Sequence, residues 1–297
     1  MKKINKLVII LPCFNEEDVL QLSIDLLSVY FDKLKKKSLI SKDSFLCFVD
    51  DGSIDNTWKI IKKNKNKNLV GIKLSNNFGH QNALLAGLFM NKNKSDMYIT
   101  MDCDLQDDIN SIEGMISSYE DGNEIVYGVR KSRATDTIFK RKSAEIFYDM
   151  QQKIGINIIK NHADFRLISN NVLTHLEKFN EVNLYLRAMF PVIGFKTDVI
   201  YYSRKERFAG ETKYPLKKML AFAWDGITSF SVFPLKLITY LGLIVFLISM
   251  LTILYVISIK IFTDMAVPGW ASTTITIYFM GGVQLLSIGI IGEYIGK

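Results

Sequence analysis

Several common signatures are missing from this chain of 297 residues. Neither GxGxxG nor GxxxxGK[ST] occurs, which removes the main support for a dehydrogenase or a nucleoside triphosphatase. Cysteine is scarce. Cys13, Cys47 and Cys103 each sit in or beside an apolar run without CxxC spacing, as expected of buried reduced thiols rather than a zinc site or a disulfide framework. The three histidines, His80, His162 and His175, lack metal-ligand spacing; His80 lies in a polar motif where it could touch a ligand, and His175 falls in a helical pattern and reads as structural. There is no internal repeat and no long low-complexity linker. Charge is also absent from Leu237 to Ile259, a run of 23 residues. That exceeds the roughly 20 residues a helix needs to cross a bilayer.

What is present agrees with that run. The mean hydropathy of +0.14 is high for an ordinary soluble enzyme. A second uncharged stretch, Ser272 to Gly292, is weakened by Gln284 and the Gly281–Gly282 pair, but with the first it predicts a transmembrane hairpin. The link "KIFTDMAVPGWAS" carries one lysine and one aspartate, whereas Lys217, Lys218, Lys236 and Lys297 flank the other side. The positive-inside rule then places the large N-terminal part in the cytoplasm, beneath the inner (plasma) membrane. The start "MKKINKLVIILPCF" imitates a signal peptide, yet its apolar run is short, ends in Pro12 and precedes "NEED", so it predicts a first strand. The net charge of +7 raises nucleic acid as a partner. The basic runs "KLKKK" and "KKNKNKN" fall where helices should end and lack interleaved aromatics, so they are expected to be solvated helix termini.

Short apolar runs at 7–11, 45–49, 69–74 and 97–101 alternate with helical patterns starting near Glu16, Ser53 and Gly79. Strand, helix, strand repeated three times predicts an α/β domain with a mainly parallel sheet and right-handed crossovers. Ligands collect at the carboxyl ends of such strands. The four strands end in "PCFNEE", "DDGSIDNT", "SNNFGHQ" and "DCDLQDD", so every one delivers its polar cluster to the same rim.

The last cluster brings four aspartates into seven positions: Asp102, Asp104, Asp107 and Asp108. An EF-hand places Asp102, Asp104, Gln106, Asp108 and Glu113 at loop positions 1, 3, 5, 7 and 12. Against it, the turn position 6 is Asp107 rather than glycine, and "MYITM" before it is strand-like rather than helical. Asp107 or Asp108 can cap the helix beginning near Ile109. Capping leaves Asp102 and Asp104 unexplained, and a D-x-D at a strand end suits a divalent ion shared with substrate phosphates.

With these residues in view, "LPCFNEED", "VDDGSIDNT", "NFGHQNALLAGL", "MDCDLQDD", "ADFRL" and "RFAGETKYPLKKM", in this order before two membrane helices, resemble the polyprenyl-phosphate glycosyltransferases, relatives of dolichyl-phosphate mannose synthase in glycosyltransferase family 2. The resemblance covers essentially the whole chain. It implies a GT-A nucleotide-sugar-binding domain over 1–212, an interfacial amphipathic helix over 213–233, and a hairpin over 234–297 with helices about 237–259 and 272–292. The implied reaction transfers one hexose or N-acetylhexosamine, with inversion, from a nucleotide-sugar, expected to be a UDP-sugar, to a polyprenyl phosphate; a chain rich in Lys, Asn and Ile with a membrane hairpin fits a bacterium, and hence undecaprenyl phosphate as acceptor. A processive polysaccharide synthase of the same fold would carry QxxRW before its membrane helices, a motif absent here. A membrane-anchored calcium or nucleotide sensor is the non-enzymatic rival. Similar proteins run on past "EYIGK" into a short basic tail, so the sequence is expected to be trimmed.

Carried over residue by residue, the resemblance places Pro12, Phe14, Glu16, Val49 and Asp51 around base and ribose, and Asp102, Cys103 and Gln106 with Asp104 around the diphosphate and a Mg²⁺ or Mn²⁺ ion. Asp104 is the first choice as metal ligand, with Asp102 beside it, and Cys103 is expected to act through its backbone. Asp50 and Asp55 are weaker candidates, and Asp55 or Ser53 can serve instead as a helix cap. Arg130, Arg141, Arg207 and Lys213 match cationic, phosphate-binding positions. Asp164 matches the family's catalytic carboxylate, with a structural pairing to Arg166 as the alternative. A phosphate monoester has its second pKa near about 6, so the acceptor needs no base, and Asp164 is free to orient a group instead. Lysines mixed with Phe222, Trp224 and Phe230 suit a helix in the headgroup layer that holds the rim at the bilayer. The resemblance also leaves room for a homo-oligomer and a flippase partner.

Overall fold

A computed structural model describes residues 3–104, 106–131, 162–179, 186–203, 233–262 and 269–295. The chain divides into two compact units, one formed by Met1–Asp149 with Asn157–Pro215 and the other by Met150–Ile156 with Leu216–Lys297. Each is considered by itself. The proposed interfacial helix at 213–233 lies outside the described residues apart from Phe233, as do Arg141, Arg207 and Lys213.

The first unit follows the order β1 (Leu7–Cys13), α1 (Glu17–Lys36), β2 (Phe45–Asp50), α2 (Thr57–Asn64), β3 (Leu69–Lys73), α3 (His80–Met90), β4 (Met97–Thr100), α4 (Ser111–Glu120), β5 (Ile125–Arg130), β6 (His162–Ser169), α5 (Asn170–Leu176), α6 (Leu186–Ile193) and β7 (Thr197–Tyr202). The strands form one sheet in the order β3-β2-β1-β4-β6-β5-β7. β1 pairs in parallel with β2 and β4, β2 with β3, and β5 with β7, while β6 runs antiparallel to both its neighbours. Every residue of β1, β2 and β4 is buried, which is why these strands read as continuous apolar runs rather than alternating ones: helices cover both faces.

Helix α1 turns Leu20, Ile24, Leu27, Phe31 and Leu34 inward, with Glu17 and Asp18 at its positive end and Lys33, Lys35 and Lys36 at its negative end. The basic run near 35 therefore is a helix terminus. Helix α3 lies close on the sheet at Gly87, where a Cβ would come within 2.4 Å of Ile10 Cγ2 and 2.8 Å of Val49 Cγ2.

The reversed strand has an irregularity that the sequence does not announce. Tyr127 pairs with Arg166 and Val129 with His162, so β5 advances two residues while β6 advances four. β6 therefore bows outward at 163–165, beside Gly128, whose Cβ would lie 2.7 Å from Phe165 Cδ1 and 2.9 Å from its carbonyl oxygen. This bow carries Asp164 just beyond the last β4–β6 pair, Thr100 with Arg166.

The second unit contains α7 (Phe233–Phe262) and α8 (Trp270–Ile295). Ile238–Phe262 and Ser272–Gly292 are long and apolar enough to cross a membrane, and most of their surface faces outward. Glycines let the pair approach closely. A Cβ on Gly242 would stand 2.7 Å from the Leu285 carbonyl oxygen, and one on Gly289 would stand 2.6 Å from Thr239 Cα. The Thr239 hydroxyl donates to the Gly289 carbonyl at 3.0 Å, satisfying itself across the helix pair.

Candidate active site

The loops after β1 and β2 are fastened to each other. Asn15, held at φ 52°, donates its N–H to Ser53 Oγ at 3.0 Å, and its side-chain oxygen accepts from Ile54 N–H at 3.0 Å. Glu16 N–H donates to Thr57 Oγ1 at 2.9 Å. Asp55 accepts from Glu17 N–H at 3.1 Å and from Thr57 N–H at 2.9 Å, so its carboxylate serves the starts of α1 and α2 together. Ser53 does not cap α2; its hydroxyl belongs to the Asn15 loop.

The third loop joins them through Asp51. Its two oxygens accept from Phe78 N–H at 2.8 Å and Gly79 N–H at 2.9 Å. Burial pushes the Asp51 carboxyl up, and the two N–H donors partly offset that. Gly52, at φ +69°, has no room for a side chain: a Cβ would meet Asn76 carbonyl carbon at 2.4 Å. Pro12 and Val49 face each other in the β1–β2 register just below this rim. Val49 is wholly buried against Gly87 and supports the rim from beneath, while Phe14 and Glu16 are partly exposed above it.

Beyond β4 the chain enters the aspartate cluster, whose members separate into different tasks. Asp107 is buried and accepts a hydrogen bond from the Tyr202 hydroxyl. Tyr202 is the register partner of Arg130 at the ends of β7 and β5. Burial disfavours the Arg130 charge, but Tyr202 and Asp107 outweigh it and hold the guanidinium above its ordinary value. Half-buried Arg130 is thus linked through Tyr202 to buried Asp107, a chain that anchors the cluster to the sheet. Asp108 accepts from Asn110 N–H at 3.2 Å and from its side-chain amide at 2.9 Å, and the N-cap of α4 is Asn110 without a side-chain cap bond. Of the two cap candidates, Asp107 is taken by a tertiary partner, and Asp108, whose Oδ1 accepts from the N–H two residues on, closes the turn that opens into α4.

Asp102, Cys103, Asp104 and Gln106 remain at the rim. Asp104 accepts from Gln106 N–H at 3.1 Å, shaping the turn. Cys103 is buried; its carbonyl accepts from the Ser23 hydroxyl at 2.6 Å, and contact with Cys13 together with burial pushes its thiol well above the ordinary range. A thiol held protonated is a poor nucleophile. The Asp102 side chain is 34% exposed, and its ion-pair contact is His80 Nε2 at 3.6 Å. His80, the first residue of α3, also lies 3.7 Å from Asp164 Oδ2, so one imidazole stands between the two carboxylates.

Asp164 is bound much more tightly. It is paired with Arg166, whose side chain is only 1% exposed, and with Arg187 Nη2 at 3.0 Å and Nε at 3.3 Å. Burial would raise its pKa, but Arg187 first, then Arg166 and His80, hold it well below the usual carboxylate range. The Arg166 guanidinium also lies over the Phe190 ring, 4.8 Å from its centroid. Arg187 was not singled out from sequence. The signal was there in "LYLRAMF", one charge inside an apolar helix, and α6 brings it 23 residues along the chain to Asp164.

The donor chemistry suits a hard cation. Asp102 and Asp104 offer carboxylate oxygens with one residue between them, and Asp102 is partly exposed. Among the described residues no group of three or more His, Cys, Asp or Glu is arranged to hold a metal ion by itself, so such an ion would complete its shell with water and ligand oxygens, as Mg²⁺ commonly does.

A sheet with one reversed strand, a polar rim at the ends of its parallel strands and a D-x-D turn define the GT-A class of sugar-transferring domains. The family model described as glycosyl transferase family 2 matches residues 8–177. The chain belongs to that family, and it is a glycosyltransferase. It is 52% identical over 98% of its length to an uncharacterized glycosyltransferase, YkoT, of Bacillus subtilis, covering 86% of that protein. It is 38% identical, over 98% of its length and 94% of the relative, to the bactoprenol glucosyl transferase of Shigella phage SfX. Mannosyl-3-phosphoglycerate synthase from Rubrobacter xylanophilus superposes with a TM-score of 0.49 at 12% identity, covering 75% of this chain and 72% of that one.

Proposed function

We propose that this glycosyltransferase moves a single hexose or N-acetylhexosamine from a UDP-sugar to undecaprenyl phosphate at the cytoplasmic face of the membrane, with inversion at the anomeric carbon. The observation that carries the reading is the division of labour among the rim carboxylates: Asp102 stays open beside Asp104, whereas Asp164 is locked by two guanidinium groups. The bactoprenol relative supports the acceptor. The two apolar helices support a multi-pass membrane position close to that acceptor.

In this reading the fastened loops carrying Phe14, Glu16 and Asp51 bind the base and ribose. Asp102 and Asp104 would hold Mg²⁺ or Mn²⁺, and that ion supplies charge neutralisation for the departing nucleoside diphosphate. Asp164 is a positioning residue rather than a base. A carboxylate kept well below its usual range takes protons poorly, and a lipid phosphate with a second pKa near about 6 is already nucleophilic. Its task is to hold Arg187, 27% exposed at the rim, where a guanidinium can receive an anionic acceptor.

The test is incubation of the full chain in lipid with labelled UDP-glucose or UDP-N-acetylglucosamine, Mg²⁺ or Mn²⁺, and undecaprenyl phosphate. One sugar per lipid is expected. A growing polymer would indicate a processive synthase, and donor binding without turnover would indicate a sensor; either result overturns the proposal.

A further inference from the structure

The first turn of α3 is held from two sides. On one, Gly79, the N-cap at φ 90°, gives its N–H to Asp51, and its carbonyl accepts from Ala83 N–H at 3.0 Å. The Asn82 amide donates back to the Phe78 carbonyl at 2.8 Å. On the other, the Gln81 side-chain oxygen accepts from Leu186 N–H at 3.0 Å, which ties α3 to the start of α6, the helix that carries Arg187. His80 lies between these fixings. The fold therefore sets its position, and its side chain, 29% exposed, stands at the rim rather than in the core.

The ring is close to two carboxylates and bonded to neither. Nε2 is 3.6 Å from Asp102 Oδ1 and 3.7 Å from Asp164 Oδ2, both beyond hydrogen-bond length, and His80 makes no hydrogen bond with any described residue. Asp164 is already committed: its carboxylate to Arg166 and Arg187, its carbonyl to the Thr100 hydroxyl at 2.6 Å. In the proposed function Asp102 turns to a cation. A ring nitrogen is thus left with a hydrogen bond to give or to accept, according to tautomer. The space at the start of α3 is open, since a Cβ on Gly79 would meet nothing within 4 Å.

Inverting substitution says what fills that space. The leaving diphosphate oxygen and the attacking phosphate oxygen lie on opposite faces of the anomeric carbon. With the diphosphate at Asp102 and Asp104 and the acceptor at Arg187, the transferred ring bridges the two and passes His80, which stands between Asp102 and Asp164. The carbon next to the anomeric centre, C2, carries the hydroxyl or N-acetyl group nearest that line. We propose that His80 is a specificity-determining residue of this reaction, with Nε2 hydrogen-bonded to the C2 substituent of the transferred sugar. Glucose and N-acetylglucosamine differ only at C2, and a group placed to bond a substrate hydroxyl discriminates against the analogue that lacks it. The inference rests on the proposed function and deepens it, by naming the residue that reads the sugar.

The experiment compares wild type with His80→Ala, both as full chains in lipid with undecaprenyl phosphate and Mn²⁺. The donors are UDP-glucose, UDP-N-acetylglucosamine and UDP-2-deoxyglucose, which differ only at C2, and UDP-galactose, which differs from UDP-glucose only at C4. Ratios of kcat/KM between donors are read on one preparation, so a partly unfolded variant gives the same ratio, and the intrinsic reactivity of each donor cancels between the two proteins. In His80→Ala the disadvantage of UDP-2-deoxyglucose against the better of the other two C2 donors should shrink about three- to tenfold, the worth of one hydrogen bond, while the glucose-to-galactose ratio moves less than about twofold. Titration of the same donors with Mn²⁺ should show the change in their Kd ratios without turnover. An unchanged C2 ratio, or a galactose ratio that moves as far, overturns the inference alone. A wild type that transfers from none of these donors overturns the proposed function, and this inference with it.

Discussion

Replacing Asp164 by asparagine should damage stability more than its small size suggests, and should leave the acid side of the pH–rate profile where it was. The carboxylate neutralises Arg166, whose side chain is 1% exposed, and Arg187, whose side chain is 27% exposed. Removing one partner of a buried pair costs about 3–5 kcal/mol because the other charge stays buried. For a domain of this size each kcal/mol moves Tm by roughly 2–4 °C, so Asp164→Asn should lower Tm by about 6–20 °C. The pH dependence has a definite sign. The folded carboxyl lies below its unfolded value, so its contribution is complete above about pH 5 and is lost only as pH falls through the depressed folded value. Between about pH 5 and 8 this residue therefore adds no slope to stability and no limb to transfer. Thermal unfolding followed by tryptophan fluorescence, and transfer rates across that range at a temperature where both proteins are folded, measure the two effects. A variant with unchanged Tm, or one whose acidic limb disappears, would refute the assignment of Asp164 as an ionised anchor.

Asp104→Asn should abolish transfer and metal-dependent donor binding together, measured by product formation and by titration of UDP-sugar with and without Mn²⁺. Tyr202→Phe leaves buried Asp107 without its hydroxyl donor and should destabilise by about 1–3 kcal/mol in denaturant unfolding, with a smaller effect on donor affinity. Gly128→Ala pushes a methyl group to within 2.7 Å of Phe165 at the bow in β6 and should cost about 1–3 kcal/mol; a neutral result would mean that the bow yields easily.

The parallel half of the fold is readable because its strands are covered on both faces and end in polar clusters, so "LVIIL" and "FLCFV" signal β1 and β2 by themselves. The two C-terminal helices are legible too, because long uncharged stretches are enough to mark them as candidates to cross a membrane. The reversed strand is different. Nothing local in "HADFRLIS" shows that it runs against β4 and β5 or bows at 163–165, because register depends on partners distant in the chain. The tasks of the aspartates are hidden for the same reason: Asp107 is assigned by Tyr202, which stands 95 residues later. Arg187 joins the site only through the packing of α6, and composition alone offered it as one more charge.

If the loops after β1, β2 and β3 hold the donor as proposed, their mutual fastening bears on how that donor is chosen. Walls already locked to one another by Asn15, Ser53, Thr57 and Asp51 lose little freedom when a guest arrives. They also give little ground to a guest of the wrong outline. Selectivity for the nucleobase would then be exercised at first encounter, by fit to a rigid mould, and would survive changes elsewhere on the rim, leaving the preference for one sugar over another free to drift between relatives.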